Sequence, residues 1–141
     1  MHNSKLHSTY HIIGRTTGYA VFILGIVYAV TTILGFLSLQ SPQDPIGDPF
    51  FTVMELLTIL IAPLMATSMV AVHYYAAPED RIYSLASVCF MFIMAGITSS
   101  VHFVILSAGH QMKAAGLAGF PILFSFKWPS VVYALDILAW D

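Results

Sequence analysis

Charge is scarce in this chain: 9% of its 141 residues are charged, where soluble domains carry about 25%. With 58% hydrophobic residues there is too little polar surface to keep the fold in water, so most of it must be solvated by lipid. The net charge is only −2 and no run of Lys or Arg forms a basic stripe, which argues against a nucleic-acid partner. Cysteine is limited to Cys89, so an internal disulfide is excluded. Neither an internal repeat nor a phosphate-binding loop is present; "GLAG" at Gly116–Gly119 lacks the Lys-Ser/Thr ending such a loop needs.

Long apolar runs are what the chain does have. A helix crossing the hydrocarbon layer needs about 20 apolar residues. Residues 18–39 form the first such run, with no charge in it; residues 50–72 the second, holding Glu55 and Pro63; residues 82–106 the third, holding His102. A fourth begins at residue 130 and reaches Asp141 before it could cross. The expected fold is therefore an all-α, polytopic transmembrane helix bundle of one membrane domain, with three complete spans, the start of a fourth, and more chain after Asp141. The first run exceeds a signal-peptide core and no A-x-A site follows it, so it reads as an uncleaved span. "QSPQDPIGDP" after the first span stops the helix with three prolines, and "HYYAAPEDR" after the second makes a tight turn with tyrosines at headgroup level. Residues 107–129 are apolar, glycine-bearing and too short to cross, which predicts an interfacial or re-entrant segment. Lys5, Arg15 and Arg81 on one side, against Lys113 and Lys127 on the other, place the N-terminus in the cytoplasm.

Depth can be compared because a helix rises about 1.5 Å per residue and successive spans alternate direction. Glu55 lies about 8 Å, His102 about 6 Å and Asp136 about 9 Å below the surface that carries the first and third connections. Three ionisable groups thus share one leaflet. Such groups are rare inside a span and usually face the bundle interior or a wet cavity, where they pair. On the same helix faces, Thr98 and Ser99 precede His102 by four and three residues, and Tyr133 precedes Asp136 by three. A polar pocket of Glu55, Thr98, Ser99, His102, Tyr133 and Asp136 is predicted. One imidazole and two carboxylates suit Zn²⁺, another divalent metal or non-haem iron, a proton or cation in transit, or a small polar headgroup. They also suit a structural network in which they satisfy one another. A haem shared by His73 and His102 is disfavoured, since His73 sits at the opposite end of the second span.

Other features have plainer readings. His7 and His11 have metal-capable i, i+4 spacing but only two ligands. The pairs Met65/Met69 and Met91/Met94 read as packing residues. Gly14/Gly18, Gly25/Ala29 and Ala62/Ala66 permit close helix contact, within the chain, in a homo-oligomer or with another membrane subunit. Pro63 leaves the Ile59 carbonyl without its usual helix partner, which predicts a kink.

"GITSSVHFV" resembles the Ser-x-x-x-His span of the alkaline ceramidase and progestin-receptor superfamily of membrane hydrolases. "MELLTILIAP" is similar to the glutamate-bearing span that precedes it there. This resemblance implies His102 as a zinc ligand and the hydroxyl residue at position 98 as a helper in amide hydrolysis. Thr98 replaces the family serine, Asp136 comes too late for the family aspartate, and the late HxxxH motif has no counterpart. Taken across its spans, the chain looks more like small bacterial multi-span membrane proteins whose function is not established, which implies a location and no activity. "GRTTG" is similar to the Arg-x-Ser/Thr-Gly stretch that opens the first helix of succinate dehydrogenase anchors. The expectations left open are an ion or small-molecule binding or transport component, a metal-assisted hydrolase, and a non-catalytic structural subunit.

Overall fold

A computed structural model describes residues 2–41, 44–125 and 128–140, with side chains from residue 9 onward. Every regular element among them is helical. Helix α1 spans His2–Leu37, α2 spans Phe50–Tyr75, and a 3₁₀ turn at Pro78–Asp80 leads into α3, Arg81–Val104. The chain then passes through a π-helical turn, Ile105–Gly109, into α4 at His110–Ala114. Two short helices complete the order, α5 at Phe120–Phe124 and α6 at Val131–Trp140. Three segments are long and apolar enough to cross a membrane: Thr9–Leu37, Phe50–Tyr75 and Pro78–Ala114. This is an all-α bundle of an integral membrane protein.

The first helix starts earlier than the apolar run because its polar residues do not interrupt it. Thr16 and Thr17 donate their hydroxyls back to the carbonyls of Ile12 and Ile13, so neither asks for water or another element. At the far end of α2, Ala76 turns extended just ahead of Ala77-Pro78, where proline disfavours further helix.

The third segment runs well past residue 106, and this corrects the expected boundary. Ser107 reads as a breaker in sequence, yet its hydroxyl is returned to the Phe103 carbonyl. One extra residue is absorbed by the π turn, where the His110 N–H reaches back to Ile105 O. The helix stops only at Gly116, which takes φ +64°. There Leu117 N–H bonds Met112 O and Gly116 N–H bonds Lys113 O, a Schellman stop. Beyond Gly116 the chain folds back onto the bundle: Phe124 of α5 packs against Val101, Ile105 and Val132.

Packing follows chain order, with α1 on α2, α2 on α3 and α3 on α6. Small residues set the spacing. A Cβ added at Gly14 would lie 2.8 Å from that of Ala71, so the Gly14 backbone of α1 seats directly on the Ala71 methyl of α2. Ala62 and Ala66 of α2 meet Ala95 of α3, with Met91 filling the edge. Gly14 and the Ala62/Ala66 pair thus serve contacts within the chain, while Gly18 and Gly25 have nothing within 4 Å of where a Cβ would be. Only 6% of the α1 span is buried against 33% of the third, which makes α1 a lipid-facing helix and α3 the central one.

Candidate functional site

The α2–α3–α6 contact brings three predicted groups together. His102 is 9% exposed and Glu55 4%. The imidazole Nδ1 lies 2.7 Å from Glu55 Oε2, and Nε2 lies 3.5 Å from Asp136 Oδ1. One ring is thus clasped by two carboxylates, each on its own nitrogen. The sequence places these groups at a common depth; helix packing turns them toward each other. Val101 and Ile105 flank His102 on α3 and bury against Val132 of α6, which brings Asp136, four residues after Val132, to the same level.

Thr98, one turn before His102, is fully buried, and its Oγ1 has no hydrogen-bond partner among the described residues. A buried threonine in a helix ordinarily returns its hydroxyl to the carbonyl four residues back, as Thr31 and Thr58 do here. Asp136 Oδ1 is likewise buried and makes no hydrogen bond within the described residues; its 3.5 Å approach to the imidazole is an ion-pair contact. Buried polar atoms without a hydrogen-bond partner are uncommon in folded proteins, and each is a place where another group can bind.

Neither of the other two expected lining residues hydrogen-bonds His102. Ser99 is half-buried, and Tyr133 turns its ring edge-on to Trp128, with centroids 5.8 Å apart. Tyr28 of α1 was not foreseen: its phenol lies beside the hydroxyls of Thr32 and Thr58 and within electrostatic reach of Glu55 and Asp136. Its signal in sequence is a tyrosine and two threonines, Thr31 and Thr32, inside a run whose only other hydroxyl residues are Tyr19 and Ser38.

Above the pocket lies a second polar group. His110 follows His102 by eight residues, about 12 Å along the axis. Its Nε2 is 3.7 Å from the exposed Asp48 Oδ2, His110 itself is half-buried, and Phe51 stacks on the ring with centroids 6.1 Å apart. Thr52 donates its hydroxyl to Asp48 Oδ1 at 2.5 Å. That hydrogen bond holds the Asp48 carboxyl below its ordinary range against the opposing effect of burial, helped by His110, the Thr52 N–H and Lys113.

As for metal chemistry, Glu55 and Asp136 face different nitrogens of one ring, so the two carboxylates flank the imidazole. No three His, Cys, Asp or Glu among the described residues are arranged to hold a metal ion. His73 is turned to Ser84, Nδ1 to Oγ 2.8 Å. It follows Glu55 by 18 residues, about 27 Å along α2, so the two imidazoles face opposite surfaces. The side chains of Lys5, His7 and Lys127 lie outside the described residues, and with them the His7/His11 pair. No protein family, curated protein or solved structure matches this chain significantly.

Proposed function

We propose that the pocket of Glu55, His102 and Asp136 takes up a proton or small cation, making the chain an ion or small-molecule binding or transport component of its membrane. The observation that carries this reading is one carboxylate on each nitrogen of a buried imidazole. A neutral imidazole has a single N–H. If Nδ1 gives it to Glu55, then Nε2 presents a lone pair to Asp136, and two electron-rich atoms face each other across 3.5 Å. A proton or cation between them removes that conflict. Repulsion within the cluster is strong because water is scarce around it, so gain and loss of one positive charge changes its energy appreciably. Thr98 Oγ1 offers a further oxygen one turn away, and Tyr28 borders the cluster from α1. The Asp48–His110 pair stands between the pocket and the nearer surface. By the distribution of Lys and Arg this surface is the outer one, with the N-terminus cytoplasmic in a bacterial inner membrane.

The test is proton flux into proteoliposomes that trap a pH-sensitive dye, driven by a potassium diffusion potential. Wild-type protein should acidify the lumen faster than protein-free vesicles do. Glu55→Gln and His102→Ala should fall to the protein-free rate, and Thr98→Val should slow the flux while leaving the helical content intact. Equal flux in all four proteins would refute the role given to the pocket. Wild-type flux no faster than protein-free vesicles, with Glu55→Gln tolerated, would favour a structural subunit. Stoichiometric metal in the purified protein would favour the metal-assisted hydrolase that the resemblance implies.

A further inference from the structure

At the opposite end of the bundle from the His102 pocket, α1 and α2 enclose a groove of about 920 Å³. Its polar lining comes chiefly from Tyr10, His11, Arg15, Tyr19, Tyr75 and Asp80. A second hollow of about 480 Å³ shares Gly14, Arg15, Gly18 and Tyr19 with it and continues along α1 to Phe22. Close approach of Gly14 to Ala71 draws the helices together on one side, and Gly18, with nothing within 4 Å of where its Cβ would be, leaves the adjoining floor open.

The order of chemistry along the groove is specific. Deepest are Phe22, Gly18 and the Tyr19 ring. Next comes Arg15, whose guanidinium carbon sits 5.6 Å from the Tyr19 centroid. No ion pair joins Arg15 to a carboxylate among the described residues. A guanidinium at the edge of an apolar span, in ion-pair contact with no carboxylate among the described residues, calls for an anion, and its planar fork matches phosphate oxygens. Outermost is Asp80, exposed, beyond the end of α2 and so at least one turn, about 6 Å, further toward water than Arg15. Tyr10 stacks on Tyr74 at 4.0 Å and Tyr74 meets Tyr75 edge-on, an aromatic belt at headgroup level.

Apolar floor, then cation, then anion is the mirror of acyl chain, phosphate and ammonium. We propose that this groove binds one amine-headed glycerophospholipid, of the phosphatidylethanolamine type, from the surrounding leaflet. Its phosphate pairs with Arg15, its ammonium lies at Asp80, and one acyl chain runs over Gly18 toward Phe22. The site is separate from the His102 pocket and stands or falls independently of it.

Native mass spectrometry tests this on the full chain in mild detergent, titrated with phosphatidylethanolamine or with phosphatidylglycerol of the same acyl chains. Wild type should retain the ethanolamine lipid about threefold better, the scale of one exposed ion pair. Arg15→Gln should weaken both lipids about tenfold, as expected for loss of a charge-assisted hydrogen bond. Asp80→Asn should abolish the preference while keeping phosphate-dependent binding. Gly18→Leu points into open space and preserves the helix, so it should displace the acyl chain with the circular dichroism unchanged. Equal retention by wild type and Arg15→Gln would overturn the proposal, as would a preference for phosphatidylglycerol. So would a Gly18→Leu protein that keeps its lipid but changes oligomeric state, since a second copy would then occupy the groove.

Discussion

Replacing Glu55 by leucine removes the 2.7 Å acceptor from His102 Nδ1 and puts an apolar side chain in its place. Two magnitudes bear on the cost. Breaking a buried ion pair by deleting one partner destabilises soluble proteins by about 3–5 kcal/mol. Hydrogen bonds inside membrane proteins average only about 0.6 kcal/mol, because the separated helices also find partners. The Glu55–His102 contact is short at 2.7 Å and both groups are buried, which favours the larger figure; Asp136 on the other nitrogen still holds the ring, which reduces it. The expected loss for Glu55→Leu is about 2–3 kcal/mol. His102→Leu strands Glu55 and should cost at least as much, since a carboxylate is then left at 4% exposure. The double variant removes both polar groups and should cost less than either single change, because an apolar pair of similar volume has nothing left to desolvate. Asp136 does not reverse this outcome: its side chain is 24% exposed and can be hydrated. Far-UV circular dichroism during reversible unfolding in mixed micelles measures all four proteins. The reasoning is refuted if the two single losses add to within about 0.5 kcal/mol in the double variant.

Two further predictions concern other parts of the bundle. Gly14→Val places a Cβ 2.8 Å from that of Ala71, a side chain with no flexible end to move aside, so α1 should separate from α2 at a cost of about 1–3 kcal/mol, while Gly18→Ala is neutral in the same unfolding assay. Thr52→Val removes the hydrogen bond that keeps the Asp48 carboxyl low. The native carboxyl is depressed, so its contribution to stability is complete above the ordinary aspartate range and is lost as pH falls through the native value. In Thr52→Val the Asp48 titration, followed by carbon NMR of its carboxyl, should move up toward the ordinary value, and this acid-sensitive contribution should shrink.

Much of the fold was legible because membrane insertion reads one-dimensional properties. Scarce charge and apolar runs of adequate length predict helices across lipid whatever their neighbours, and the fixed rise per residue converts sequence position into depth. Glu55, His102 and Asp136 could be placed in one leaflet on that basis alone. Boundaries were less secure where side chains repair the backbone locally: the hydroxyls of Thr16, Thr17 and Ser107 return to carbonyls within their own helices, so residues that read as interruptions continue the helix.

The direction each group faces, and which helices adjoin, had no such local source. Ala62, Ala66 and Ala95 set the α2–α3 contact, and Val101, Ile105 and Val132 set α3 against α6; these contacts turn one carboxylate to each nitrogen of His102. The α1–α2 contact brings Tyr28 to the cluster. Gly14 and Gly18 form one motif in sequence, yet Gly14 is spent on Ala71 and Gly18 floors an open groove. Sequence alone determined that polar groups interrupt the apolar helices and how far along each helix they sit, since hydropathy and helical rise act along a single chain. Tertiary structure decided what each of them touches, because rotation about a helix axis is settled only when another helix packs against it.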